Sequence, residues 1–140
     1  WKRYGGGLAP PIWIAKLDHL LYTVKMAGSP PTPSLVGLDM VTTVIRATLK
    51  REVIGLARLV LFGSRYRGMA RPDSDWDLLG VVDRPLSFSR KADVVLEIRR
   101  ALAGAHVSLD LILVDSSELE RRSRDTGTII YYALKECVTV

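Results

Sequence analysis

A Gly-Ser pair at 63–64 stands between two apolar runs, and two aspartates one residue apart, Asp75 and Asp77, open the second run. The first run, residues 56–62 (Leu-Ala-Arg-Leu-Val-Leu-Phe), ends at a glycine, as a buried strand does. Side chains alternate faces along a strand. Asp75 and Asp77 therefore point one way, and Trp76 and Leu78 point the other way into a core. Two like charges side by side are unfavourable unless cations sit between them, and hard oxygen ligands suit Mg²⁺. Pro72-Asp73-Ser74 is turn-like and accounts for Asp73. It does not account for two charges opening a stretch as apolar as Leu78–Val82.

A third carboxylate sits within a further strand-like run, 106–115 (His-Val-Ser-Leu-Asp-Leu-Ile-Leu-Val-Asp). Carboxylates are rarely buried unless paired or ligating metal. Asp110, flanked by Leu109 and Leu111, is thus expected to meet Asp75 and Asp77. Three carboxylates on adjacent strands can hold two Mg²⁺ about 4 Å apart, clamping the attacking and leaving oxygens of an in-line displacement. Gly63 lets the backbone approach a ligand closely, Ser64 adds a donor, and Arg65 and Arg67 carry guanidinium forks suited to phosphate oxygens. His106 shares strand parity with Ser108 and Asp110 and borders this site or simply ends the strand.

The stretch Leu61-Phe-Gly-Ser-Arg-Tyr-Arg-Gly-Met-Ala-Arg-Pro-Asp-Ser-Asp-Trp-Asp-Leu-Leu79 resembles the signature of minimal nucleotidyltransferases of the DNA polymerase β superfamily. Its spacing, Gly-Ser, ten residues, then Asp-x-Asp, is similar to that of prokaryotic two-gene modules that pair such a protein with a HEPN toxin. The resemblance covers about residues 36–136. It implies that Gly63 and Ser64, with Arg65 and Arg67 beside them, bind a nucleoside triphosphate, ATP by analogy. It implies that Asp75 and Asp77 hold the metals. Asp110 would hold one metal and help deprotonate the acceptor hydroxyl. The implied reaction is transfer of AMP to a tyrosine hydroxyl of a HEPN-type partner, silencing it as an antitoxin does. Two other readings stay open: a binding-only antitoxin with a vestigial site, and a nucleotidyltransferase acting on a small molecule or RNA.

Length and charge bound the alternatives. The 140 residues support one domain with a sizeable core, leaving little room for an accessory domain that grips an acceptor, so a separate molecule is expected to supply it. The net charge of +5 is carried mostly by residues 1–34, and the remainder is nearly balanced. Nucleic acid is therefore not expected as the main partner. The single cysteine, Cys137, excludes an internal disulfide framework and a multi-cysteine zinc site and fits a reducing cytoplasm. No segment is apolar for the length a membrane span needs.

Residues 1–34 read as an extension: a helix over about 11–27 with Ile14, Leu17, Leu21 and Val24 as its stripe, then a Pro-rich linker over 28–34. The helix packs on a second copy of the chain, docks a partner protein, or is an upstream addition, and the sequence does not choose. His19 reads as surface. Residues 35–140 read as the nucleotidyltransferase domain, an α/β (α+β) fold with a small mixed sheet and helices packed on one face. Its helices are expected over Val36–Glu52 and Ser87–Ala103. A charged turn follows, opened by a Ser117–Glu120 capping box, and a last helix spans Thr128–Glu136. Strands are expected at 56–62, about 75–83 and about 107–114. Tyr131 and Tyr132 read as a half-buried aromatic pair, and residues 118–125 as a solvated helix face.

Overall fold

The computed structural model describes residues 33–140, with side chains from residue 37 onward. The expected helix at 11–27, the linker through residue 32 and His19 lie outside the described residues. Pro33 and Ser34, read above as the linker's end, instead begin the first described helix, α1 (Pro33–Arg51). Proline suits a first helical turn, where its missing N–H has no partner to lose.

The apolar runs become strands β1 (Leu56–Phe62), β2 (Trp76–Val82) and β3 (Leu109–Asp115). A helical turn, α2 (Gly63–Tyr66), lies between β1 and β2, and α3 (Phe88–Ala103) connects β2 to β3. After β3 come α4 (Ser116–Ser123), α5 (Ile129–Lys135) and a two-residue strand, β4 (Val138–Thr139). The sheet order is β3-β2-β1-β4; β2 pairs antiparallel with β1 and parallel with β3, and β4 pairs antiparallel with β1. The parallel pair needs a crossover, which α3 supplies.

Alternation sorts the strands' side chains onto two faces. One face presents Leu59, Leu61, Trp76, Leu78, Leu111 and Leu113 to Val41, Ile45 and Leu49 of α1 and to Val94, Ile98 and Leu102 of α3. These helices carry their apolar residues at helical spacing and cover that face as expected. The opposite face presents Val60, Phe62, Leu79, Val81 and Val114, and α5 seals it with Ile130, Ala133 and Leu134. The second layer is an addition to the one-face expectation. It arises because β1 and β2 are apolar at both parities, so neither face can be left to water.

Capping explains the helix boundaries. The Ser87 hydroxyl accepts from Arg90 N at 3.2 Å and starts α3. For α4 the expected Ser117–Glu120 box gives way to Asp115, whose Oδ1 accepts from Ser117 N (2.9 Å) and Glu118 N (3.1 Å). β3 runs straight into α4, so the strand's last residue is also the helix N-cap. The Ser117 hydroxyl and the Glu118 N–H hold the Asp115 carboxyl below the usual carboxylate range. Strand β4 is unforeseen in the sequence, two residues being too few for alternation to show.

Candidate active site

The register of β2 against β3 pairs Asp77 with Asp110 directly. Asp75 lies two residues before Asp77, at the exposed entry to β2. Phe62, the last residue of β1, faces Asp77 from the other side, so the Gly63 turn begins where the carboxylate stands. Four separate signals in the sequence thus meet at one end of three adjacent strands.

Gly63 is fitted to this place. It has φ +73°, a left-handed value that side chains disfavour, and a Cβ there would lie 2.8 Å from Asp77 Cγ. The Ser64 backbone N–H donates to the Asp77 carboxyl. Burial pushes that carboxyl above the usual carboxylate range, and repulsion from Asp110 and Asp75 adds to it; the Ser64 bond and the Arg67 charge offset part of the effect. Asp77 therefore sits where burial and its two acidic neighbours together disfavour its charge.

Asp110 is not buried, contrary to the premise that led to it. Its side chain is 53% exposed because β3 is an edge strand, and Arg99 of α3 meets its Oδ1 at 3.5 Å. The same guanidinium donates from Nε to the Leu109 carbonyl at 2.9 Å. Among the described residues no three His, Cys, Asp or Glu side chains are already gathered around one point. Asp75, Asp77 and Asp110 are neighbours by backbone register rather than a closed cage. Their donor set is all oxygen, which fits a hard divalent cation, and their mutual repulsion is what such a cation would relieve.

Two cavities flank the aspartates. One, of about 420 Å³, is lined by Gly63, Arg67, Asp77, Tyr132, Lys135 and Glu136. Arg67 pairs across it with Glu136 at 3.6 Å. Tyr132 is exposed and stands edge-on to Tyr131, whose ring carries the Lys135 ammonium 4.3 Å from its centroid. The other cavity, of about 690 Å³, is lined by Asp75, Arg99, His106, Ser108 and Asp110 and opens along β3. His106 takes a left-handed backbone (φ 54°) just before the strand.

Of the residues read from sequence, Gly63, Arg67, Asp77 and, across the strand, Asp110 and Asp75 come together. Arg65 lines neither of these two cavities, although the charges of Asp75 and Asp77 still act on its guanidinium. Its guanidinium lies on the Trp76 face of β2, hydrogen bonded to backbone carbonyls. Arg99 and Lys135 line the cavities without having been singled out, and Tyr132, expected as one of a half-buried pair, is exposed there. Arg99 and Lys135 look like ordinary solvated helix positions in the sequence, and only the helices' placement beside the sheet end gives them a neighbourhood.

Residues 44–136 match the family model described as polymerase beta, nucleotidyltransferase. No curated protein matches the chain. A solved structure described as "Crystal structure of the toxin-antitoxin with AMP-PNP" is 19% identical, with a TM-score of 0.49 and 69% of each chain covered.

Proposed function

The chain belongs to the polymerase β nucleotidyltransferase family, and from that premise we propose that it transfers AMP from ATP to a hydroxyl acceptor. The observation that carries this reading is the pairing of Asp77 with Asp110 in register, with Gly63 packed against Asp77 and Asp75 at the strand entry. Asp75, Asp77 and Asp110 are the residues that would hold two Mg²⁺. When bound, these ions would neutralise charge growing on the attacking and leaving oxygens, usually the largest catalytic contribution.

The chain's own groups divide the work by side. Gly63 and Ser64 admit the triphosphate close to the backbone, and Arg67 and Lys135 give its cavity a cationic wall. In-line displacement requires the acceptor oxygen to arrive opposite the departing pyrophosphate. With the triphosphate on the Gly63 side, the acceptor enters from the cavity along β3. There the Asp110 carboxylate is placed to accept the hydroxyl proton as the new O–P bond forms and the bond to pyrophosphate breaks.

The acceptor in this reading is a tyrosine hydroxyl of a HEPN-type partner, with AMP transfer acting as the antitoxin function. Its support is the Gly-Ser, ten residues, Asp-x-Asp spacing of the signature. A cytoplasm supplies both ATP and Mg²⁺, and the buried free thiol of Cys137 suits such a compartment.

The test incubates the protein with α-³²P-ATP, Mg²⁺ and lysate beside an Asp75→Asn/Asp77→Asn double variant. A labelled protein band that needs both carboxylates, traced by mass spectrometry to a tyrosine, is the expected result. Carboxylate-dependent label in RNA or a small molecule would replace the acceptor while keeping the chemistry. No carboxylate-dependent label in any fraction would overturn the enzymatic reading in favour of a binding-only antitoxin.

A further inference from the structure

The turn that carries Asp75 has little to hold it. Residues 71–73 and Asp75 are exposed, Ser74 is half-buried, and only at Trp76 does the chain enter the core. Within the turn, Ser74 N donates to the Arg71 carbonyl at 3.0 Å and Arg71 N to the Ser74 hydroxyl at 2.8 Å. These bonds close the turn on itself, and its far end is tied to the chain before β3 where Trp76 N donates to the Ser108 carbonyl at 3.0 Å.

Arg65 supplies the connection from the α2 turn. Its Nε donates to the carbonyls of Ser74 (3.1 Å) and Asp75 (3.2 Å). Its Nη2 reaches Pro72 O at 3.5 Å and also donates to Ser74 O. The guanidinium carbon lies 4.1 Å from the centroid of the Trp76 ring. That ring is itself buried against Gly37 of α1, where a Cβ would come within 2.9 Å of it. One planar fork thus gathers the carbonyls of Pro72, Ser74 and Asp75 while its face rests on a ring fixed to the core. A lysine ammonium has neither the fork nor the flat face.

We propose that Arg65 is a positioning residue for Asp75: it fixes the backbone before β2 so that the Asp75 carboxylate is presented beside Asp77, and it does not grip phosphate. This rests on the reading of Asp75 and Asp77 as cation-holding carboxylates. Arg65 and Arg67, two residues apart in one turn, thereby serve different partners: Arg65 the carboxylate, Arg67 the nucleotide cavity. Groups that orient a ligating residue typically change metal affinity by about 10–100-fold when removed.

The experiment compares the wild-type full chain with Arg65→Ala, Arg65→Lys and Arg67→Ala. Mn²⁺ binding without nucleotide is read from the loss of the free-ion EPR signal, and ATP affinity is read separately at saturating Mn²⁺. Arg65→Ala is expected to weaken Mn²⁺ at least about tenfold while ATP affinity stays within about twofold. Arg67→Ala should do the converse. If Arg65→Ala does not fold, Arg65→Lys decides: it keeps the charge and loses the fork, so positioning requires weakened Mn²⁺ binding. Wild-type Mn²⁺ affinity in a folded Arg65 variant overturns the inference, whether ATP affinity falls (a phosphate-gripping role) or only thermal stability does (a structural one). A wild-type chain that binds no Mn²⁺ without nucleotide overturns this inference, whereas the proposed function stands or falls separately with the label-transfer test.

Discussion

Gly63 and Asp77 stand so close that a single methyl on the glycine would press into the carboxylate, 2.8 Å from its Cγ. The glycine's φ of +73° adds a second constraint of a different kind. Gly68 separates the two, because it shares the left-handed backbone (φ +69°) but has nothing within 4 Å of its would-be Cβ. Gly68→Ala is expected to cost about 1–2 kcal/mol through strain alone, with transfer activity kept. Gly63→Ala should cost more and abolish transfer, since Asp77 must move. Denaturant melts of both variants beside the label-transfer assay check this, and equal behaviour would refute it.

Relief of the charge on Asp77 should stabilise the metal-free protein. Its carboxyl is raised by burial and by the Asp110 and Asp75 charges, so ionising it works against the fold. A raised acid contributes its stability below the unfolded carboxylate range, and that stability is lost as pH rises through the folded value. Asp77→Asn is therefore expected to melt higher than wild type at neutral pH in EDTA. The gap should close in acid, where the wild-type carboxyl is neutral too. Differential scanning fluorimetry across pH decides it; a lower melting temperature for Asp77→Asn at neutral pH would contradict the electrostatic account.

Cys137 gives the opposite end of the pH scale a marker. Burial raises its thiol to about 11 from an ordinary 9.0, partly offset by Arg58. Its contribution is complete below pH 9 and is lost as pH rises through about 11, on the order of 2–3 kcal/mol in all. Cys137→Ala should flatten the alkaline limb of the stability curve. In the native wild type at pH 8, the thiol should react with a disulfide reagent only as fast as the protein opens.

The end of α1 carries an unnecessary cost. Val53 N donates to Lys50 O at 3.1 Å and Ile54 N to Leu49 O at 2.9 Å, the paired bonds of a Schellman ending. The left-handed position in such an ending favours glycine, yet Val53 occupies it with φ 57°, the residue being 74% exposed. Val53→Gly is expected to raise unfolding free energy by about 1 kcal/mol, read as a higher denaturant midpoint at unchanged slope.

Much of this was legible in the chain because the strands are short, apolar and punctuated. The register that pairs Asp77 with Asp110 follows from two runs whose carboxylates sit near the same end. Asp110 meets Asp77 as expected, yet it is not buried. Flanking Leu109 and Leu111 suggest a buried position, but alternation puts those two on the covered face and leaves Asp110 on the other, at a sheet edge. Arg65 and Arg67 could not be told apart, since a four-residue helical turn sends neighbouring side chains to different faces without any signature in composition. The Asp115 cap was hidden because the expected strand ended one residue early and left Asp115 in a loop.

The two residues of β4 have a consequence for how the protein is made. β1 pairs with β2 on one side, and among the described residues its other side is completed only by Val138 and Thr139, with Val140 N donating to Leu59 O at 3.0 Å. At a synthesis rate of about 5–20 residues per second, the ribosome takes about 4–15 s to reach β4 after releasing the code for Phe62 into peptide. During that interval an apolar strand offers an open hydrogen-bonding edge to whatever nascent chains are nearby. The emerging polypeptide is thus exposed to mispairing at this edge until Val138 and Thr139 are translated, and slowed translation before them would lengthen that window.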